Sequence, residues 1–242
     1  MLHTIRTSLH QFRSRLVTAR YQLFGEQERE SNVSGISARF KVSSHAERWR
    51  VEECMGEREV VERFLADIND STEVWDIGAA VGTYSILAAK RADHVTAFEP
   101  EPNNYRRLQE NVGLNDLDNI DVRNIALSDT NSELQMDVAD GAVGGGVHRI
   151  NSGGDVSVSA RRGEDLTDPS PDLVKIDVEG HEMKVIEGMG DKLSNCSIIY
   201  VEAHPDNGVA VESLHESLRS HGFETTEIER RNRSETYIRG EA

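Results

Sequence analysis

A short apolar stretch, residues 73–77, runs directly into Gly78-Ala-Ala-Val-Gly82, and that turn runs directly into a helical pattern over residues 84–91. Strand, glycine turn and helix in that order make half of a βαβ unit, whose second strand must lie parallel to the first. The pattern then repeats. Residues 94–98 predict a second strand stopping at Glu99-Pro100-Glu101-Pro102, residues 103–115 a helix with Tyr105, Leu108 and Val112 on its apolar side, and residues 120–127 a third strand. Such alternation specifies an α/β fold of Rossmann-like design, a parallel sheet with helices on both faces.

Residues 128–168 interrupt the rhythm. Two stretches, 134–138 and 156–160, alternate as strands do around Gly144-Gly145-Gly146 and Gly153-Gly154, which predicts a hairpin-like insertion over the carboxyl edge of the sheet. The parallel pattern resumes at 173–177, followed by a helix over 181–192, a strand over 198–202 and a helix over 210–221. Strands at 223–229 and 235–239 close the chain and add an antiparallel strand to the sheet. Upstream, residues 56–68 predict a helix burying Val60, Val61, Phe64, Leu65 and Ile68. The expected organisation is a helix over 1–24, a linker and lead-in over 25–55, and an α/β domain over 56–242 carrying the insertion at 128–168.

Charge divides the chain. Lys and Arg total 27 against 43 Asp and Glu, a net charge of −16 with five lysines, a balance resembling proteins of salt-loving microbes and excluding nucleic acid as the main partner. Residues 1–24 run the other way, with four Arg, no acid, and Leu2, Ile5, Leu9, Phe12, Leu16 and Leu23 at helical spacing. This stripe fits docking on the acidic body of the same or a sister subunit, taken first, and a peripheral membrane surface second. Residues 25–42 turn polar and read as a linker. Cys54 and Cys196 form no Cys-x-x-Cys pair, which argues for a reducing compartment and against a cysteine-built metal site. No apolar run reaches the roughly 20 residues of a membrane span, so the expected place is the cytoplasm, with the inner membrane face as the alternative. No motif specifies an oligomeric state.

Ionisable groups gather where strands end. The turn between Gly78 and Gly82 lets backbone approach a ligand and aims a helix N-terminus at it, although the third glycine of dinucleotide folds is missing. Glu99 closes the second strand, where a carboxylate can accept hydrogen bonds from both hydroxyls of a ribose. Asp177, Glu179, His181 and Glu182 crowd the next strand end; Asp177 reads as a ligand contact and Glu182 as a solvent-facing helix-start acid. Glu202 and His204 alternate on one side of the following strand end, a histidine beside a carboxylate and so a candidate general base. A solvent histidine before a proline turn is the competing reading. A divalent cation between Asp177 and Glu202 is weaker than a pair of cofactor and substrate contacts, and no metal ligand set is assigned.

Taken in register, Asp76-Ile-Gly-Ala-Ala-Val-Gly82, Phe98-Glu-Pro-Glu-Pro102, residues 108–115 with two asparagines, Asn124-Ile-Ala-Leu-Ser-Asp129 and Lys175-Ile-Asp-Val-Glu-Gly-His-Glu182 resemble the FkbM family of class I S-adenosylmethionine-dependent methyltransferases. The resemblance covers roughly residues 56–205. It implies a seven-stranded, mostly parallel sheet with an antiparallel last strand, binding S-adenosyl-L-methionine over the first two parallel strands. Asp76, Gly78 and Gly82 would lie by the methionine end, Glu99 on the ribose, and Ala126, Leu127 and Ser128 near adenine. Since a sulfonium loses its positive charge as the methyl leaves, Asp76, Asp177 and Glu179 can hold the cofactor without taking part in the chemistry.

The resemblance also implies oxygen acceptors, saccharides among them, lipid-linked if residues 1–24 touch a membrane. An alcohol must lose a proton, which His204 or His181 could take with help from Glu202 or Glu179, whereas a hexuronic acid carboxylate is already ionised. Family members often carry Asn where this chain has Ala80. Two other classes compete: a nicotinamide-dependent oxidoreductase, suited by Glu99 but not by the missing glycine or the terminal hairpin, and a non-catalytic cofactor-binding module, favoured by Ala80.

Overall fold

The computed structural model describes residues 25–138, 148–228 and 235–242. The basic stripe at 1–24 and the glycines at 144–146 lie outside the described residues. In chain order the elements are β1 (Gln27–Val33), β2 (Ile36–Val42), α1 (His45–Glu53), α2 (Arg58–Ala66), β3 (Glu73–Ile77), α3 (Thr83–Ala89), β4 (His94–Phe98), α4 (Pro102–Leu114) and β5 (Ile120–Arg123). There follow β6 (Ala126–Leu127), β7 (Ser132–Asp137), β8 (Arg149–Ile150), β9 (Val156–Arg161), β10 (Leu173–Ile176), α5 (Glu182–Met189), α6 (Asp191–Ser194), β11 (Ile198–Ala203), α7 (Val211–Ser220), β12 (Glu224–Ile228) and β13 (Thr236–Glu241).

Seven strands form the central sheet in the order β12-β13-β11-β10-β3-β4-β5. All neighbours are parallel except β13, which runs against both β11 and β12. Chain progress reverses between β3 and β10, and the carboxyl ends of strands at such a switch point leave a crevice. Side-chain alternation divides the core into two layers: Val74 packs with the hairpin and α2 on one face, Trp75 and Ile77 with α5 and α7 on the other.

Three expectations change. The polar lead-in at 25–42 is an antiparallel hairpin, turning at Ser34 and Gly35 with both φ positive, as a two-residue type I′ turn requires. Ala38, Phe40 and Val42 of β2 are buried on its inner face. The hairpin is fastened to the domain by two asparagines, one in α4 and one just past its end: Asn111 Oδ1 accepts from the Lys41 amide (2.8 Å) while its Nδ2 donates to the Val81 carbonyl (2.9 Å). Asn115 accepts from the Arg39 amide and donates back to its carbonyl.

The expected third strand over 120–127 is two strands. After Arg123 the chain leaves the central sheet, because Asn124 Nδ2 donates to the carbonyls of Glu99 (2.8 Å) and Pro100 (3.0 Å). Ala126 and Leu127 then pair with β9 in a four-stranded sheet, β6-β9-β7-β8, which contains the expected insertion hairpin β7–β9. The helix over 181–192 breaks at Gly190, whose φ of 50° and ψ of −133° are not helical. That backbone conformation is one glycine adopts without the strain a Cβ would bring, and a Cβ there would also displace the Glu164 carboxylate.

Candidate active site

The glycine turn is held by the strand beside it. Gly78 and Ala79 amides both donate to the Phe98 carbonyl at the end of β4 (2.9 and 3.0 Å), and the Ala80 amide donates to Glu99 Oε2 (2.7 Å). Gly78, at φ +84°, has no room for a side chain, since a Cβ would meet the Asp177 carbonyl at 1.8 Å. Gly82 caps α3, and a Cβ there would strike Leu108 at 2.2 Å. Ala80 takes φ 50°, a left-handed conformation that Asn adopts more readily than Ala.

This turn opens onto a cleft across the ends of β3, β4 and β10. Its apolar wall includes Phe98, Ile125, Ala126 and Leu127, and the insertion contributes Met136 and Ile150. Glu99 lies in the wall with its oxygens aimed: Oε1 accepts from the Glu101 amide (2.8 Å) and Oε2 from Ala80. Each oxygen retains a second lone pair for an incoming hydroxyl. Burial raises the Glu99 carboxyl to about 7, against the two amides that favour its ionised form.

The floor is ionic. Lys175 is buried, with Nζ 3.4 Å from Asp76 Oδ1, 3.5 Å from Asp177 Oδ2 and 4.7 Å above the Tyr84 ring. Burial opposes its charge, but Asp76 and Asp177 raise it well above an ordinary lysine. His204, 6% exposed, presents Nδ1 to Glu182 Oε1 at 2.6 Å and Nε2 to Asp177 Oδ1 and Glu179 Oε2 at 3.7 and 3.4 Å. Burial works against the imidazolium, yet the Glu182 hydrogen bond and the charges of Asp177, Glu179 and Glu202 lift His204 to about 10. Burial and the neighbouring Asp177 raise Glu179 to about 7. Asp177 moves down, since Lys175 and His204 outweigh its burial.

Several sequence-chosen residues therefore meet in one cleft and others do not. Gly78, Glu99, Ala126, Leu127, Asp177, Glu179 and His181 all line it. Asp76 lies beneath the turn, fully buried, accepting from Ser85 Oγ and facing Lys175. Ser128, 1% exposed, sits behind the wall, 2.9 Å from His181 Nε2. The pairings of histidine and acid change. Glu202 faces the Tyr237 hydroxyl (2.8 Å), and the carboxylate on His204 Nδ1 is Glu182. Glu179 faces His204, not His181, and burial lowers the His181 imidazole.

Glu182 is accordingly no solvent-facing helix acid: it is fully buried and also accepts from the Gly180 amide at 3.0 Å. Arg50 of α1 lines the cleft too, from a segment without any recognisable motif. Lys175 was legible only as part of a signature.

A Rossmann-like sheet with its seventh strand antiparallel, and a strand-end carboxylate beside a glycine turn, defines a class I methyltransferase. The chain belongs to the FkbM family, for residues 76–225 match the Methyltransferase FkbM domain. It is 32% identical over 214 residues to the hexuronic acid methyltransferase AglP of Haloferax volcanii, covering 87% of each chain. Among solved structures, a methyltransferase FkbM from Methylobacillus flagellatus superposes with a TM-score of 0.55 at 16% identity, over 81% of this chain and 52% of that one. Trm5b from Pyrococcus abyssi gives 0.52 at 18%, over 90% and 56%, a likeness of fold. The protein is thus an S-adenosylmethionine-dependent methyltransferase. The cleft fits that cofactor, with open lone pairs on Glu99 for a diol, an apolar wall for a base and carboxylates facing a cation.

Proposed function

We propose that the enzyme methylates the carboxylate of a hexuronic acid in a glycan or glycan precursor. Glu99 holds the ribose hydroxyls, Ala126 and Leu127 flank adenine, and Asp177 and Glu179 face the sulfonium. When bound, S-adenosylmethionine supplies a methyl group whose transfer to a carboxylate oxygen makes a C–O bond, breaks the C–S bond and moves no proton. The supporting observation is His204. Its Nδ1 is engaged by Glu182 and its pKa is raised to about 10, so at neutral pH it already carries the proton a general base would have to accept. His181, beside Ser128 at the adenine end of the cleft, stands apart from that floor. An acceptor that arrives ionised needs neither. The relative named as a hexuronic acid methyltransferase supports the same substrate class.

Methylation of a glucuronate-containing oligosaccharide is expected to add about 14 Da, as in replacement of hydrogen by methyl, and the gain should vanish on mild saponification. A base-stable product would make the acceptor a hydroxyl.

The acidic surface suits a salt-rich cytoplasm, where screening limits self-repulsion. The basic stripe at 1–24 suits the inner membrane face and a lipid-linked precursor, and liposome flotation with and without residues 1–24 tests this. Among the described residues, no helix is long and apolar enough to cross a membrane.

A further inference from the structure

The floor of the cleft gathers the carboxylates of Asp177 and Glu179 with the imidazole of His204, groups of the kind that ligate metal ions. One oxygen of each carboxylate and His204 Nε2 lie within 4.8 Å of one another, with Nε2 at 3.7 Å from Asp177 Oδ1 and 3.4 Å from Glu179 Oε2. Ligand atoms bound at about 2.0–2.2 Å around one divalent ion stand roughly 3 Å apart, so closing on an ion needs only small side-chain movements.

The histidine is already oriented for a ligand. His204 is 6% exposed, and its ring is oriented by the Nδ1 contact to Glu182, while Nε2 points between the two carboxylates without making a hydrogen bond. A carboxylate on the far nitrogen is how metal-binding histidines are commonly fixed in tautomer and direction. Glu182 is fully buried, and its other oxygen, Oε2, has no hydrogen-bond partner, which leaves negative charge around the ring.

We propose that Asp177, Glu179 and His204 bind a divalent cation of the oxygen-preferring class, Mn²⁺ or Mg²⁺, with Glu182 as the residue that positions His204. Two carboxylates and one imidazole suit such an ion, whose remaining positions would take water or acceptor oxygens. Binding displaces the proton from His204 Nε2, and the ion, in place of that imidazolium, balances the two carboxylates and leaves a coordination position for a uronate oxygen. That docking role rests on the acceptor proposed above; the cation site does not.

The test is titration of the chelator-treated full-length protein with MnCl2 in molar KCl, which screens diffuse binding to the acidic surface, following the free Mn²⁺ signal by electron paramagnetic resonance. The expected result is one tightly bound Mn²⁺ per chain. Glu179→Gln should weaken it at least about tenfold, and Glu182→Gln roughly 10–100-fold. Melting curves verify folding, and Glu179→Gln, at a partly exposed site, decides the matter if Glu182→Gln does not fold. Undiminished free Mn²⁺, or binding unchanged in Glu179→Gln, overturns the site. If Mn²⁺ fails to bind while base-labile methyl esters still form, the cation falls and the acceptor stands; Mn²⁺ binding with a base-stable product gives the reverse.

Discussion

The two halves of the cleft are built differently. The half at the glycine turn is made by consecutive chain: β3, its glycine turn and the end of β4 are hydrogen-bonded neighbours, and Glu99 is aimed by the amides of Ala80 and Glu101. The ionic floor draws Lys175, Asp177, Glu179 and Glu182 from around β10 and His204 from the end of β11, with Arg50 of α1 at its rim. Backbone fixes the first half, and mutual side-chain electrostatics fixes the second. Substitutions in the first should therefore act on folding and on the nucleoside end of the cofactor, and those in the second on the sulfonium and the acceptor.

The largest effect is expected where the halves touch. Gly78→Ala puts a methyl group 1.8 Å from the Asp177 carbonyl at φ +84°, so it must push β10 from β3. A loss on the order of 3 kcal/mol or more in chemical denaturation is expected; a loss below 1 kcal/mol would show that the turn has room to move.

Next comes Glu99→Gln, which removes charge from the acceptor of two amides and, in the cofactor placement proposed above, of two ribose hydroxyls. S-adenosylhomocysteine affinity by calorimetry should fall roughly 10–100-fold, the scale of one charged hydrogen bond. Because burial holds this carboxyl at about 7 and the ionised form accepts the hydroxyls, the wild-type affinity should rise as pH increases through about 7, with proton release on binding. Glu101 and Arg50 are the charges that act on it most directly. The slope should flatten in Glu99→Gln; an unchanged slope would move the titration to the floor.

The smallest effect tests the departure at position 80. Ala80→Asn replaces a left-handed alanine with a residue that tolerates φ 50°, and a gain of about 0.5–1 kcal/mol in stability is expected from thermal melts. A loss would mean that the turn is fitted to the smaller side chain.

This division also decides what is legible in the sequence. The half at the glycine turn follows from adjacent motifs, and Gly78, Glu99, Ala126 and Leu127 line one cleft. The hairpin at 27–42 was hidden because its outer face carries Glu28, Glu30 and Arg39, a charge run that resembles solvated chain, although Ile36, Ala38, Phe40 and Val42 alternate. Residues 120–127 read as one strand, since periodicity does not reveal that Asn124 ties the chain to the end of β4. On the floor, sequence proximity misassigned partners: Glu202 lies two residues from His204, but the approach of α5 to the end of β11 gives the contact to Glu182.

Proton release during turnover tests the acceptor most directly. Methyl transfer to a hydroxyl liberates one proton per product, whereas transfer to a carboxylate liberates none. In a weakly buffered, mildly acidic reaction with a uronate-containing glycan, the expected count is zero protons per methyl group. A count of one would contradict it and restore a base to the floor of the cleft.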